Sequence, residues 1–225
     1  MELAPLTIKL LWAAAIALVL PLVLPSGLLL QLMMWPLGET SAGVGSDGLP
    51  ATIGFMPWQL VTHAFVNTGV SDLLFVALTL VFFGNGLEWR WGQRRYGLFL
   101  LACVAASALV QLAVLTLGAR AGLLPFAPVA GAHGLMFGIL FACAYLDPHQ
   151  RVRLLIPPID MEMRTLVIVF VLIELAMGIF GSQNGWAQVG FLGAMLGAWL
   201  HIRYWQGQPP FRKGKPPRPK LRSVN

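Results

Sequence analysis

The chain has 225 residues, of which 57% are hydrophobic and only 11% charged, with a formal net charge of +6. A typical soluble domain carries about 25% charged residues, so the composition excludes an ordinary soluble enzyme and points to a membrane protein. A transmembrane helix needs about 20 mostly apolar residues to cross ~30 Å of hydrocarbon, and the sequence predicts six such spans, at about 9–33, 60–83, 96–118, 129–146, 165–181 and 186–205.

The first span is too long for the apolar core of a signal peptide and has no obvious small-residue cleavage site behind it. Pro21 and Pro25 are expected to kink it. Between Trp35 and Trp58 runs an outer segment rich in Gly and Pro and free of Lys and Arg, of a length that dips partly into the interface. No separate soluble domain is visible.

Span two carries His63, Asn67 and Asp72 near its outer end, and helical spacing puts Asp72 roughly on the His63 side. Cys103 and Cys143 fall within spans three and four and read as buried free thiols. Span four begins at His133 and shows small residues at intervals of four, Ala130, Gly134, Gly138 and Ala142. Span five contains Glu174, with a structural role, a substrate contact or a proton step as its possible uses. Span six has Gln188 near its outer end and a continuous small face of Gly190, Gly193, Ala194, Gly197 and Ala198. Lipid gives helices no hydrophobic drive to associate, so small faces mark close packing. Spans four and six are therefore expected to pack small face to small face. His201 is expected to meet headgroups or backbone carbonyls.

Charge sets an orientation. With a cytoplasmic N-terminus, 14 of the 15 Lys and Arg residues fall inside and Arg120 alone falls outside, as the positive-inside rule demands. Both termini are expected in the cytoplasm. Trp35, Trp58 and Trp186 fall at outer ends and Trp89, Trp91 and Trp205 at inner ends, where amphipathic rings favour the interface. Seven of the basic residues lie from Arg203 onward in a Pro-rich tail, which reads as a disordered segment near anionic headgroups. Nucleic acid is not an expected partner.

The polar residues within spans each carry an energetic cost in hydrocarbon and normally face a bundle interior or a wet cavity. His63, Asn67, Asp72, His133 and Gln188 all lie in outer halves, which points to one shared binding cavity open to the outside. His63, Asp72 and His133 are ligand types suited to zinc. No close-spaced pair such as His-x-x-x-His occurs, so neither a metal nor a cofactor is expected.

From Pro57 to Trp205 the chain resembles bacterial rhomboid intramembrane serine proteases. The resemblance rests on Pro57-Trp58-Gln59-Leu60-Val61-Thr62 at the entry to span two, Glu88-x-x-Trp91-Gly92 after it, Arg151 to Ile159, Gly131-Ala132-x-Gly134 with Phe137-Gly138-Ile139, and Ala198 to Trp205. It implies an all-α, polytopic six-transmembrane-helix rhomboid-like bundle around an outward-open cavity, in a bacterial inner membrane. The implied organisation is a first helix and outer loop at 1–56, a rhomboid-like core at 57–205 and a basic tail at 206–225.

The family hydrolyses peptide bonds with a Ser-His dyad and an oxyanion hole. Carried across, the nucleophile maps to His133 and the base to Phe191 before Leu192-Gly193-Ala194, with Gln188 at another frequent histidine. The oxyanion-supporting positions map to Asp72 and Val76. All of the chemical positions are substituted, and Asp72 places negative charge where an oxyanion would develop. The resemblance therefore implies a proteolytically inactive relative that binds or scaffolds transmembrane-helix clients, with His133 paired to Asp72. Alternatives are an intramembrane endopeptidase or other hydrolase using His133 with Asp72 or a metal, serine chemistry moved to Ser71, and a small proton-coupled transporter built from Asp72, His133 and Glu174.

Overall fold

The computed structural model describes residues 3–23, 25–44, 50–66, 70–124, 127–153, 160–180 and 189–205. Helix α1 (Pro5–Val23) starts earlier than its apolar run and contains Pro21; the break falls at Pro25, whose extended backbone opens the short α2 (Ser26–Leu32). The outer segment then forms an antiparallel hairpin, β1 (Glu39–Val44) with β2 (Pro50–Gly54).

Span two is not one helix. A single turn, α3 (Gln59–Thr62), tightens into a 3-10 turn at His63–Phe65. Helix α4 (Val70–Thr79) runs through a π-helical segment, Leu80–Gly84, into α5 (Asn85–Trp91). Gly92 then takes φ +81°, a left-handed conformation open to glycine, and the chain turns into α6 (Gln93–Arg120). Helix α7 (His133–Leu146) follows, then a second hairpin of β3 (Arg151–Arg153) and β4 (Asp160–Glu162), then α8 (Met163–Phe180) and α9 (Gly190–Trp205). Among the described residues the molecule is thus mostly helical, as the sequence reading expects, with two small two-stranded sheets beside the helices. Short alternating segments between turn-rich stretches carry too little hydrophobic periodicity to announce a hairpin.

Among the described residues, two helical stretches are long and apolar enough to cross a membrane, Asp72–Trp91 and Gln93–Arg120; Pro5–Leu20 and His133–Leu146 are shorter apolar helices. The N-terminus of α1 is bound to the first half of α5. Glu88, buried at 2% exposure, accepts from the Leu6 amide (2.8 Å), the Thr7 amide (2.7 Å) and the Thr7 hydroxyl (2.9 Å), while Asn85 accepts from the Ala4 amide (2.8 Å). A carboxylate fits there because the first amides of a helix lack intrahelical acceptors and carry the positive end of its dipole. Arg90 pairs with Asp147 after α7 at 2.6 Å, and the Arg95 guanidinium lies 5.7 Å from the Trp205 ring. One end of the bundle therefore gathers these cationic side chains.

The core lies among α6, α7 and α9. Spans four and six do pack together, α7 against α9, within a three-helix arrangement in which α6 and α9 share a still more extensive interface. The α9 glycines face α6: a Cβ on Gly193 would stand 2.5 Å from the Ala106 carbonyl, and one on Gly197 2.6 Å from the Ala106 side chain. The α7 glycines also face α6, Gly134 against Ser107 and Gly138 against Cys103, and Ala194 of α9 completes both contacts. Span three was overlooked because its own contact residues, Ser107, Cys103 and Gln111, include no glycine to mark a small face.

Trp35 is buried within the fold, its ring N–H donating to the Leu30 carbonyl at 2.7 Å. His201 lies beside the rings of Phe99 (5.9 Å) and Trp205 (4.3 Å), and its Nε2 has no hydrogen-bond partner among the described residues. Cys103 and Cys143 are free thiols, as read from the sequence.

Candidate functional site

The chain entering α7 is fixed by backbone bonds on two sides. Met34 and Val129 exchange amide-to-carbonyl bonds at 2.9 Å in both directions, and the Gly131 amide donates to the His63 carbonyl at 3.0 Å. The loop that supplies these partners is itself held by Gln59, which is fully buried. Its Oε1 accepts from the Trp35 amide (3.2 Å), and its Nε2 donates to the carbonyls of Gln31 and Gly54 (both 3.2 Å). The Thr62 hydroxyl adds a bond to the Leu32 carbonyl at 2.9 Å. The Pro57 to Thr62 motif is therefore a clamp on the outer loop. A buried glutamine can satisfy up to four partners, and its place in an apolar run is the signal that could have revealed it.

Gly131 has φ +139°, and a Cβ there would come within 2.8 Å of His133 Nδ1. Both facts demand glycine. The imidazole of His133 thus folds back over Gly131 at the first turn of α7, half-buried. Its Nε2 lies 3.9 Å from Oε1 of Glu174, each side chain being 22% exposed. The sequence reading gave His133 the carboxylate of Asp72; the carboxylate found against it is that of Glu174, from α8. The signal was present, since Glu174 is the one acid within span five, but helical periodicity within one span says nothing about which neighbouring helix it faces.

Two other substituted positions, Phe191 and Val76, are apolar and packed. Phe191 is 2% exposed, and its ring centroid lies 4.6 Å from that of Phe137, one turn along α7 from His133. Val76 is buried beside Leu80, Ala132 and Leu135, with Leu10 and Ala14 of α1 opposite, in a cleft lined only by apolar side chains. His63 is buried at 2% exposure, its Nδ1–H donating to the Gln59 carbonyl at 2.9 Å, a bond that ties it to its own turn. Asp72 is half-buried in the first turn of α4 and has an interaction partner. Asn67 and Gln188 lie outside the described residues, as does the Ser71 side chain.

Chemically, the site offers an imidazole with a carboxylate at ion-pair distance and an aromatic pair beside it. No group of three or more His, Cys, Asp or Glu side chains converges to hold a metal among the described residues.

Residues 48–216 match the family model described as "Eukaryotic integral membrane protein (DUF1751)". The chain is 25% identical to "Rhomboid-like protein 19" of Arabidopsis thaliana over 179 residues, 72% of this chain and 56% of that protein. It is 29% identical to "Rhomboid protease GluP" of Bacillus subtilis (strain 168) over 146 residues, 64% of this chain and 25% of that protein. The matched segment thus spans about half the length of the plant protein and a quarter of the bacterial one.

Proposed function

We propose that this chain, which belongs to the DUF1751 family of integral membrane proteins and is rhomboid-like, lacks proteolytic activity and instead binds the transmembrane helices of client proteins. The observation that carries the reading is the state of the two dyad positions. One holds His133, with the Glu174 carboxylate beside it, and the other holds a buried phenylalanine stacked on Phe137. Acyl transfer needs a nucleophile whose proton a base accepts, and donors aimed at the developing oxyanion. Phe191 accepts no proton, and Val76 donates none.

Binding needs none of these groups. A client segment with exposed backbone or a polar side chain is poorly satisfied in lipid, and the half-buried polar pair at the head of α7 offers it partners. The reading includes six spans with both termini cytoplasmic, supported by the bias of basic residues and by their gathering at one end of the bundle. The bilayer is the first partner, and anionic headgroups meet the basic tail.

A second reading has one observation in its favour. A carboxylate beside an imidazole is an arrangement that can accept and hold a proton, so His133 with Glu174 could serve a hydrolase of another kind. A photoreactive residue introduced at position 133 and irradiated in membranes tests the choice. Capture of intact transmembrane proteins supports binding; recovery of cleaved fragments that vanish in His133→Ala supports the hydrolase.

A further inference from the structure

We propose that Arg95, set over Trp205 at the end of the bundle that gathers its cations, is a binding site for the phosphate of an anionic lipid headgroup. The site is built from a run of rings that crosses three helices. The Trp91 ring of α5 meets Phe99 of α6 edge-on at 5.1 Å between centroids, Phe99 meets the imidazole of His201 in α9 at 5.9 Å, and His201 meets Trp205 at 4.3 Å. The Arg95 guanidinium closes the run 5.7 Å from the centre of the Trp205 ring, within the reach of a cation–π contact. Phe99 is fully buried, whereas Arg95 and Trp205 are exposed, so the run is anchored in the core and ends at the surface with a cation.

Arg95 has no counter-charge among the described residues. At the same end of the bundle Arg90 is paired with Asp147, Glu162 lies against His149, and Glu88 is occupied by the first amides and the hydroxyl of α1. None of the ion pairs among the described residues includes Arg95, and residues 206–225 contain no Asp or Glu. A guanidinium held by an aromatic ring keeps its N–H donors for an acceptor and presents them as a fork that matches two phosphate oxygens. At the level of an interfacial tryptophan, the anion at hand is a lipid phosphate. Arg203 does not share the site: it lies over Trp199 at 5.0 Å, and two residues before Trp205 it is about 200° around α9 from that ring. The site goes beyond the reading of the basic tail as a headgroup partner, because each of its residues precedes the tail.

The test titrates the full chain in detergent micelles with phosphatidylglycerol or phosphatidylcholine and counts retained lipid by native mass spectrometry. The native chain should retain phosphatidylglycerol in preference. Arg95→Gln should weaken that binding roughly tenfold, the scale of one charge-assisted hydrogen bond. Arg95→Lys, which keeps the charge without the fork, and Trp205→Leu, which removes the platform, should each weaken it about threefold. Arg94→Gln removes the same charge from an exposed neighbour and should cost less than about twofold; a chain lacking 206–225 should bind as the native one does. Equal losses in Arg94→Gln and Arg95→Gln overturn the site, and so does loss of binding on removal of 206–225. Full displacement of the lipid by inorganic phosphate overturns the headgroup assignment in favour of a soluble phosphate.

Discussion

Phe137 and Phe191 bring their ring centroids to 4.6 Å at an interplanar angle of 36°, joining α7 to α9 one turn from His133. This apolar contact occupies the place where the rhomboid resemblance puts a proton acceptor. It turns what would be a polar, wetted seam between two helices into packed core, and it explains why a single substitution should not bring the chemistry back.

His133→Ser alone is therefore expected to leave cleavage at background. Loss of one member of a catalytic dyad lowers the rate on the order of 10⁶-fold, and here the base position would still be phenylalanine. Incubation of the purified variant with model transmembrane substrates, read by gel, checks this: fragments above those made by the native chain would count against it.

Glu88 receives three donors from the start of α1. Replacing it with Ala strands the buried Thr7 amide and hydroxyl and the part-buried Leu6 amide, each buried group worth about 1–3 kcal/mol when unsatisfied, so Glu88→Ala should destabilise by about 3 kcal/mol and Thr7→Val by about 1 kcal/mol. Unfolding titrations in mixed micelles give the comparison. Equal midpoints for the native chain and Glu88→Ala would show that α1 is held otherwise.

Two glycines should respond to alanine with opposite signs. A Cβ at Gly193 meets the Ala106 carbonyl and Val110, while one at Gly86 meets nothing within 4 Å. Gly193→Ala should lose about 1–3 kcal/mol through overpacking, and Gly86→Ala should gain about 0.5–1 kcal/mol from the reduced backbone entropy of a helical site. Thermal midpoints of the two variants, measured side by side, decide it.

Gln59→Leu keeps the volume but removes the three side-chain bonds by which Gln59 clamps the outer loop. A loss of about 2 kcal/mol follows from the bonds lost to the Trp35 amide and to the carbonyls of Gln31 and Gly54. Hydrogen exchange at Trp35 should accelerate while exchange in α6 stays slow. Uniform acceleration would assign Gln59 to global stability instead.

Much of this was legible in the residues themselves. The apolar runs located α6, α7, α8 and α9 to within a few positions, because long helical segments in a membrane protein leave a strong compositional mark. Gly131-Ala132-His133-Gly134 and Phe191 stand where the rhomboid resemblance implies the dyad. What escaped were relationships across the fold. The sequence reading pairs His133 with Asp72, and the acid found beside it in the structure, Glu174, comes from α8. Gly193 and Gly197 were matched with α7, whereas their narrowest contacts are to α6. In each case the local pattern fixed which face of a helix is small or polar, and only packing decided what that face meets.

Cleavage by the native chain tests the central claim most directly. The full-length protein, reconstituted in liposomes with a set of model transmembrane substrates, should release no fragments above those seen with His133→Ala. Fragments from the native chain that disappear in His133→Ala would contradict the account and restore a hydrolytic role to this site.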